Sequence, residues 1–290
     1  HEHLIAFSNV KVYNNSLVTF PSSVDKKKDW GVEYIHVLDG IYDRSKKRCN
    51  VKEAERVADL VFEHFKHHPE RSLGVVTFSE AQQSAIDIAI HQRRIANNHY
   101  EKFFIDDKAE PFFIKNLENV QGDERDTIIF SIGYAKDSHG VMHMNFGPLS
   151  REGGYRRLNV AITRAKQDVK LVGSIVPTDI DLERTSAEGV KLLRSYIEFV
   201  QQGIIALERE LSYSSNLEFD SSFEESVYDF LVSRGYQVVT QVGCSGYRID
   251  MAVKHPRHNG EFAIGIECDG ATYHSSRTAR ERDRLRQSVL

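Results

Sequence analysis

The sequence predicts two α/β domains in tandem, the first built on a largely parallel sheet. From Val32 to about Val176, short apolar runs alternate with amphipathic helical stretches, as in a sheet joined by crossover helices. The text then turns helical and lapses into a polar, turn-like stretch at Tyr213–Asn216. From Ser221 the alternation restarts with a helix and three strand candidates.

Taken in order, Val32–Leu38 is the first strand candidate. Asn50 opens a helix with Glu53 three residues on, the spacing of a capping box. Ala54, Val57, Ala58, Val61, Phe62 and Phe65 form its apolar face. Leu73–Phe78 is the next strand, and Ser79 with Gln82 caps the helix after it. Thr127–Ile132 and Val169–Gly173 are further strands. Residues 179–215 read as a helical connector, with Thr185 and Glu188 marking its start and Val190, Leu193, Ile197 and Val200 its stripe. In the last zone Phe223, Val227, Phe230 and Leu231 share a helical face. Val238–Val242, Arg248–Val253 and Phe262–Cys268 are strands, and a charged helix starts at Thr278. The expected domains are 1–178, the connector 179–215, and 216–290.

With 290 residues, 40% hydrophobic and 28% charged, the chain has the composition of a globular protein. A net charge of -4 excludes a uniformly basic nucleic-acid coat but leaves room for a local basic groove. Cys49, Cys244 and Cys268 are widely spaced and lack metal-ligand spacing. They argue against a disulfide framework and fit a reducing cytoplasm. No apolar run reaches membrane-spanning length and no signal peptide is visible, so no membrane partner is expected. The start at His1 and the end at Leu290, inside a helical pattern, suggest a piece of a larger protein.

Two constellations carry chemistry. Val120-Gln-Gly-Asp-Glu-Arg-Asp126 precedes a strand. Gly122 lets backbone approach a ligand, and Gln121 and Glu124 can reach a nucleotide; by itself the heptad is equally a solvated turn. Arg156-Arg-Leu-Asn-Val-Ala-Ile-Thr-Arg-Ala-Lys166 gathers cations among small apolar residues. If this stretch is helical throughout, Arg157 and Arg164 lie two turns apart on one side. An arginine so presented can neutralise charge developing on a γ-phosphate, although the stretch alone also fits a basic surface helix.

The second constellation is acidic. Asp250 lies in one strand, and Glu267 and Asp269 end the next, on the same face by strand periodicity. If the strand ends adjoin, three carboxylates converge and offer hard oxygen ligands to Mg²⁺. Such an ion activates water and stabilises charge on a scissile phosphate. His274 follows as a candidate general base or acid. Singly, these residues also read as strand-end caps and a structural histidine. Arg280 and Arg284, in the charged stretch from Thr278 to Gln287, are either a solvated face or contacts to DNA phosphates.

The first two segments, in this order, resemble motifs V and VI of superfamily-1 helicases, and Gly74–Ile86 with Phe78 and Gln82 resembles motif IV. The resemblance spans roughly residues 1–176 and implies a RecA-like second motor domain. It makes Arg164 the arginine finger, Glu124 a ribose or nucleotide contact, and Gln121, Gly122 and Arg157 supporting ATP-site residues. From about residue 216, the helix with Glu224, the run Gly246–Val253 and the run Gly265–Gln287 resemble a restriction-endonuclease-like domain. That domain is of the PD-(D/E)XK class, related to very-short-patch repair endonucleases. The resemblance makes Asp250 and Glu267 metal-binding acids and lets Glu224 join them, with Glu225 solvated. Asp269 stands where the common motif has lysine, which leaves the base open, with His274 as the candidate.

The expectation is therefore a fragment of a DNA helicase-nuclease using Mg²⁺ and, with the rest of its chain, ATP. A non-catalytic DNA-binding module and an RNA-directed motor are the alternatives. No Gly-x-x-x-x-Gly-Lys-Ser/Thr loop occurs in the 290 residues, so the phosphate cradle for ATP is absent from them. Assayed alone, the chain is expected to turn over ATP no faster than a buffer blank.

Overall fold

The computed structural model describes residues 2–14, 16–17, 19, 29–105, 109–203, 206–207, 222–242, 249–258 and 260–268. It divides into two compact units, one taking in residues 1–17 and 28–213, the other 18–27 and 214–290.

In the first unit β1 (Gly31–His36), β2 (Leu73–Thr77), β3 (Phe113–Asn116), β4 (Arg125–Ser131) and β5 (Ala165–Gly173) form a parallel sheet in the order β1-β5-β4-β2-β3. The two predicted middle strands are both buried on both faces, as crossover helices require. Val75, Ile129 and Val172 face α2 (Val51–His67) and α3 (Glu80–Ala96), where they meet Val57, Val61, Ile86 and Ile90. By strand alternation, Val76, Phe130 and Leu171 face the other way, and all three are buried. α1 (His3–Lys11), α4 (Gly154–Ile162) and α5 (Glu188–Gln202) pack together and against β1 and β5.

The expected connector stripe is real, since Val190, Leu193, Ile197 and Val200 are all buried. It packs within the first unit: Phe7 of α1 meets Tyr196 edge-on at 4.9 Å. The helix starts at Glu188, and Thr185 sits outside it, its hydroxyl accepting from Ala187 N at 3.3 Å. β3 and α1 were not anticipated.

Both predicted capping boxes form only half. Asn50 Oδ1 accepts from Glu53 N at 3.1 Å, and Ser79 Oγ accepts from Gln82 N at 3.2 Å. The return bonds go elsewhere. Asn50 N donates to Gln82 Oε1 at 2.8 Å instead of to Glu53. The Glu53 side chain turns into the sheet, accepting from Gly133 N at 2.6 Å, Ser131 Oγ at 2.8 Å and Ser174 Oγ at 3.3 Å. Gln82 Nε2 donates to Asn50 O and to Ser131 Oγ, both at 3.1 Å. Both helices start beside the carboxyl ends of β4 and β5, where exposed strand-end donors compete for these side chains.

The second unit holds α6 (Ser222–Ser233) and the antiparallel strands β6 (Val238–Val242), β7 (Ile249–Lys254) and β8 (Phe262–Ile266), in the order β6-β7-β8. Met251, Ala252 and Val253 of the central strand are buried. β8 is an edge of the sheet among the described residues, with Ala263, Ile264 and Gly265 exposed.

Burial pushes the Glu53 carboxyl from 4.5 up to about 7, against the hydrogen bonds that favour its ionised form. The fold therefore favours the protonated acid. Its contribution is complete below pH 4.5 and is lost as pH rises to about 7. Glu53→Gln lacks this titration. Relative to wild type, the variant should gain up to ~3 kcal/mol between pH 4.5 and 8. Urea unfolding of both proteins at the two pH values checks this, and an unchanged difference refutes it.

Candidate functional site

β4 and β5 are parallel neighbours, so the residues just before them meet at one end of the sheet. Glu124 precedes β4 and Arg164 precedes β5, and Arg125 N donates to Arg164 O at 3.1 Å. Arg164 Nη1 lies 3.8 Å from Glu124 Oε1. The Arg164 guanidinium is otherwise held by Val160 O, 2.8 Å from Nε, and by Thr163 Oγ1, 3.2 Å from Nη2. The Glu124 side chain is 56% exposed, so this long ion pair is weak and an incoming anion could replace it at small cost.

Arg164 is not part of the helix. α4 ends at Ile162, with the Thr163 hydroxyl folded back onto Asn159 O and Val160 O at 3.1 and 3.0 Å. The two-turn alignment with Arg157 therefore does not form. Arg157 turns instead to Glu152 O, 2.9 Å away, and to Glu118 Oε1, 3.8 Å away. Gln121 and Gly122 occupy an exposed turn closed by Asp123 N donating to Val120 O, and Gly122 has φ 89°, which favours glycine. Asp126 fastens the sheet: its Oδ2 accepts from Ser72 N at 2.9 Å and its Oδ1 from Gln167 at 3.2 Å.

Two glycines set the position of α4. A Cβ on Gly154 would stand 2.3 Å from Leu149 O. One on Gly189 would stand 2.5 Å from the same oxygen and 2.8 Å from Gly154 C. Close backbone approach here holds the start of α4, and with it Arg157, against α5.

In the second unit the register pairs Met251 with Ile266. Extended by one step, it sets Asp250 opposite Glu267, where antiparallel partners share a face. β8 ends at Ile266 rather than running to Cys268. Cys268 N donates to Asp250 Oδ2 at 2.6 Å, a side-chain oxygen in place of a strand carbonyl. Glu267 Oε1 is withdrawn from solvent. Glu224 is buried near the start of α6, while Glu225 beside it is exposed. Asp269, His274, Arg280 and Arg284 lie outside the described residues. Among the described residues no group of three or more potential ligands gathers. The pair Asp250 and Glu267 has the oxygen-donor chemistry that Mg²⁺ takes, so the residues present fit such an ion as part of a ligand set.

Residues 1–176, more than half of the chain, match the AAA domain family (AAA_12). The chain belongs to that family. Residues 223–290 match a restriction-endonuclease-like family, REase_MTES_1575. The chain is 35% identical over 204 residues to the "Uncharacterized ATP-dependent helicase MG140 homolog" of Mycoplasma pneumoniae, covering 69% of this chain and 17% of the relative. It is 25% identical over 189 residues to helicase sen1 of Schizosaccharomyces pombe, covering 60% of this chain and 10% of that protein. Among solved structures, the C-terminal domain of a "possible DNA helicase" from Lactobacillus plantarum aligns at 13% identity and TM-score 0.35, covering 63% of this chain and 93% of that one. The chain spans about 17% of the length of the Mycoplasma relative and about 10% of that of helicase sen1. It carries a helicase-family AAA domain followed by a restriction-endonuclease-like domain, and no described helix is long and apolar enough to cross a membrane.

Glu118 went unnoticed in the sequence. It stands 3.8 Å from Arg157 and 3.9 Å from Arg151, and no motif marks it because its partners come from a distant segment. The α4–α5 contact gives a stability test. Gly189→Ala should cost ~1–3 kcal/mol by overpacking against backbone, read as a lowered urea midpoint; a midpoint equal to wild type would show that the helices part freely.

Proposed function

We propose that this chain is the second motor half and the nuclease of a DNA helicase-nuclease. The observation that carries the nuclease reading is the facing of Asp250 and Glu267 across β7 and β8. Their supports are the Cys268 N–H on Asp250, the matching restriction-endonuclease-like family, and the E-x-D order that continues to Asp269. Asp250, Glu267 and Asp269 would hold Mg²⁺, with Glu224, buried near the start of α6, as a further acid. When bound, the ion supplies an activated water and charge neutralisation at the phosphate. His274 takes the proton from the attacking water and later delivers one to the leaving oxygen.

In the motor half, the weak Glu124 pair leaves Arg164 free to swing toward the γ-phosphate of an ATP held by the rest of the longer protein. Glu124, released, turns to the ribose. Gln121 and Gly122 present an exposed turn to the nucleotide, and Arg157, steadied by Glu118, supports the site from the start of α4. Asp269 in place of lysine supports a second reading, in which the nuclease fold only holds DNA for the motor. DNA and RNA are separated as motor substrates by which of them stimulates ATP hydrolysis in the longer protein.

Asp250→Ala and Glu267→Ala should each lower Mg²⁺-dependent cleavage of plasmid and single-stranded DNA by more than ~100-fold. Cleavage equal to wild type in both removes the assignment, and no cleavage by wild type under any divalent ion favours the DNA-holding reading. Arg164→Ala in the longer protein should cut nucleic-acid-stimulated ATP hydrolysis by about 10³-fold or more while leaving nucleic-acid affinity in place.

A further inference from the structure

The segment between β1 and α2 is a compact basic turn at the end of the sheet opposite Glu124 and Arg164. Val37 N continues the β1–β5 pairing to Gly173 O at 2.9 Å, so the turn starts where β5 ends. Gly40 is pressed so closely to β5 that a Cβ there would stand 1.9 Å from Ser174 Oγ. Tyr42 N reaches across to Lys136 O, past the end of β4, at 3.0 Å. Ligands of parallel α/β sheets bind at this carboxyl end.

Within the turn, Arg44, Lys46, Lys47 and Arg48 put four cations into five residues, all of them exposed. Left in a flexible loop, such charges would spread apart to relieve repulsion. Here the backbone holds them together. Asp43 Oδ1 accepts from Lys46 N at 3.1 Å and Asp43 Oδ2 from Lys47 N at 3.2 Å. Asp43 N donates to Cys49 O at 3.0 Å, and Arg48 N closes the turn on Asp43 O at 2.7 Å. These backbone donors keep the Asp43 carboxyl below its ordinary range, so it stays ionised and holds the turn at any working pH. Beside the cations stand two exposed apolar side chains, Leu38 at 88% and Ile41 at 52%. A chain whose net charge is -4 thus keeps a fixed cluster of cations flanked by apolar surface.

We propose that this turn is a second nucleic-acid contact, in which Arg44, Lys46, Lys47 and Arg48 hold consecutive phosphates of a single strand while Leu38 and Ile41 lie against its bases. Spaced cations beside apolar side chains match a strand that offers charge on one edge and base faces on the other. The contact lies at the opposite end of the parallel sheet from Arg164, and it rests on reading the motor half as acting on nucleic acid.

The test measures binding of a fluorescent single-stranded oligonucleotide to the full chain in EDTA without ATP, so that neither cleavage nor hydrolysis enters. The variant R44Q/K46Q/K47Q spares Asp43 and also Arg48, whose φ is 52°. It should bind ~10–100-fold more weakly near 0.1 M salt. The slope of log affinity against log salt should become shallower by about 2, as expected for three lost phosphate contacts. The control K66Q/K102Q/R184Q removes three exposed cations elsewhere and should leave both quantities near wild type. An iodouracil-substituted strand should cross-link within residues 37–48. An unchanged slope in the first variant, an equal loss in the control, or cross-links confined to other segments would each overturn the proposal. If an acidic peptide displaces the oligonucleotide as well as unlabelled strand does, the turn is a general anion face and the assignment to nucleic acid fails. Failure of the cleavage or ATPase assays leaves these outcomes untouched.

Discussion

One buried carboxyl group organises the carboxyl end of the parallel sheet. Glu53 is fully buried, yet it joins four segments: the cap of α2 through Asn50, the end of β4 through Ser131 and Gly133, the end of β5 through Ser174, and α3 through Gln82 and Asn50. A carboxyl group withdrawn from water is costly unless its oxygens are fully engaged, and that cost makes the arrangement all-or-none. Because the donors come from two strand ends and a helix start, the network fixes those ends relative to one another. The parallel sheet supplies the apolar mass, and this cluster determines where its loops begin.

From that fixed end the sheet presents two chemically distinct rims. At the amino ends of β4 and β5, Glu124 and Arg164 sit close through a long, half-exposed ion pair that an incoming anion can displace at small cost. At the carboxyl end, the basic turn after β1 leads through Cys49 and Asn50 straight into the Glu53 cluster. Strand direction is what separates the two rims, since in a parallel sheet all starts lie on one side and all finishes on the other. The second unit uses the opposite device. Its strands are antiparallel, so the start of β7 meets the end of β8, and acids far apart in sequence come to face each other.

Much of this was legible beforehand. The middle strands were visible as continuous apolar runs, and α2, α3 and α5 as stripes. α1 escaped notice because its buried residues, Leu4 and Ala6 to Asn9, run nearly consecutively and include polar side chains, so no helical stripe marks them. β3 escaped because four residues beside a loop carry no periodicity. The Asn50–Glu53 and Ser79–Gln82 spacings correctly announced helix starts, but local spacing could not tell that each third side chain would leave its own cap for a strand end. Arg157 and Arg164 looked like one face of one helix; the Thr163 hydroxyl and the entry into β5 separate them.

What the sequence by itself determined is the alternation of elements, the order of the helicase-like and restriction-endonuclease-like segments, and the residue types that stand in them. These depend on neighbours within a few positions, where helical and strand periods act. Only the tertiary structure decided that Glu124 meets Arg164, that Arg157 belongs to Glu118, that Asp250 and Cys268 are bonded, and that Glu53 faces inward. Each of these joins segments distant along the chain, and which strands neighbour one another, and in which direction, is settled by burying the whole apolar surface at once.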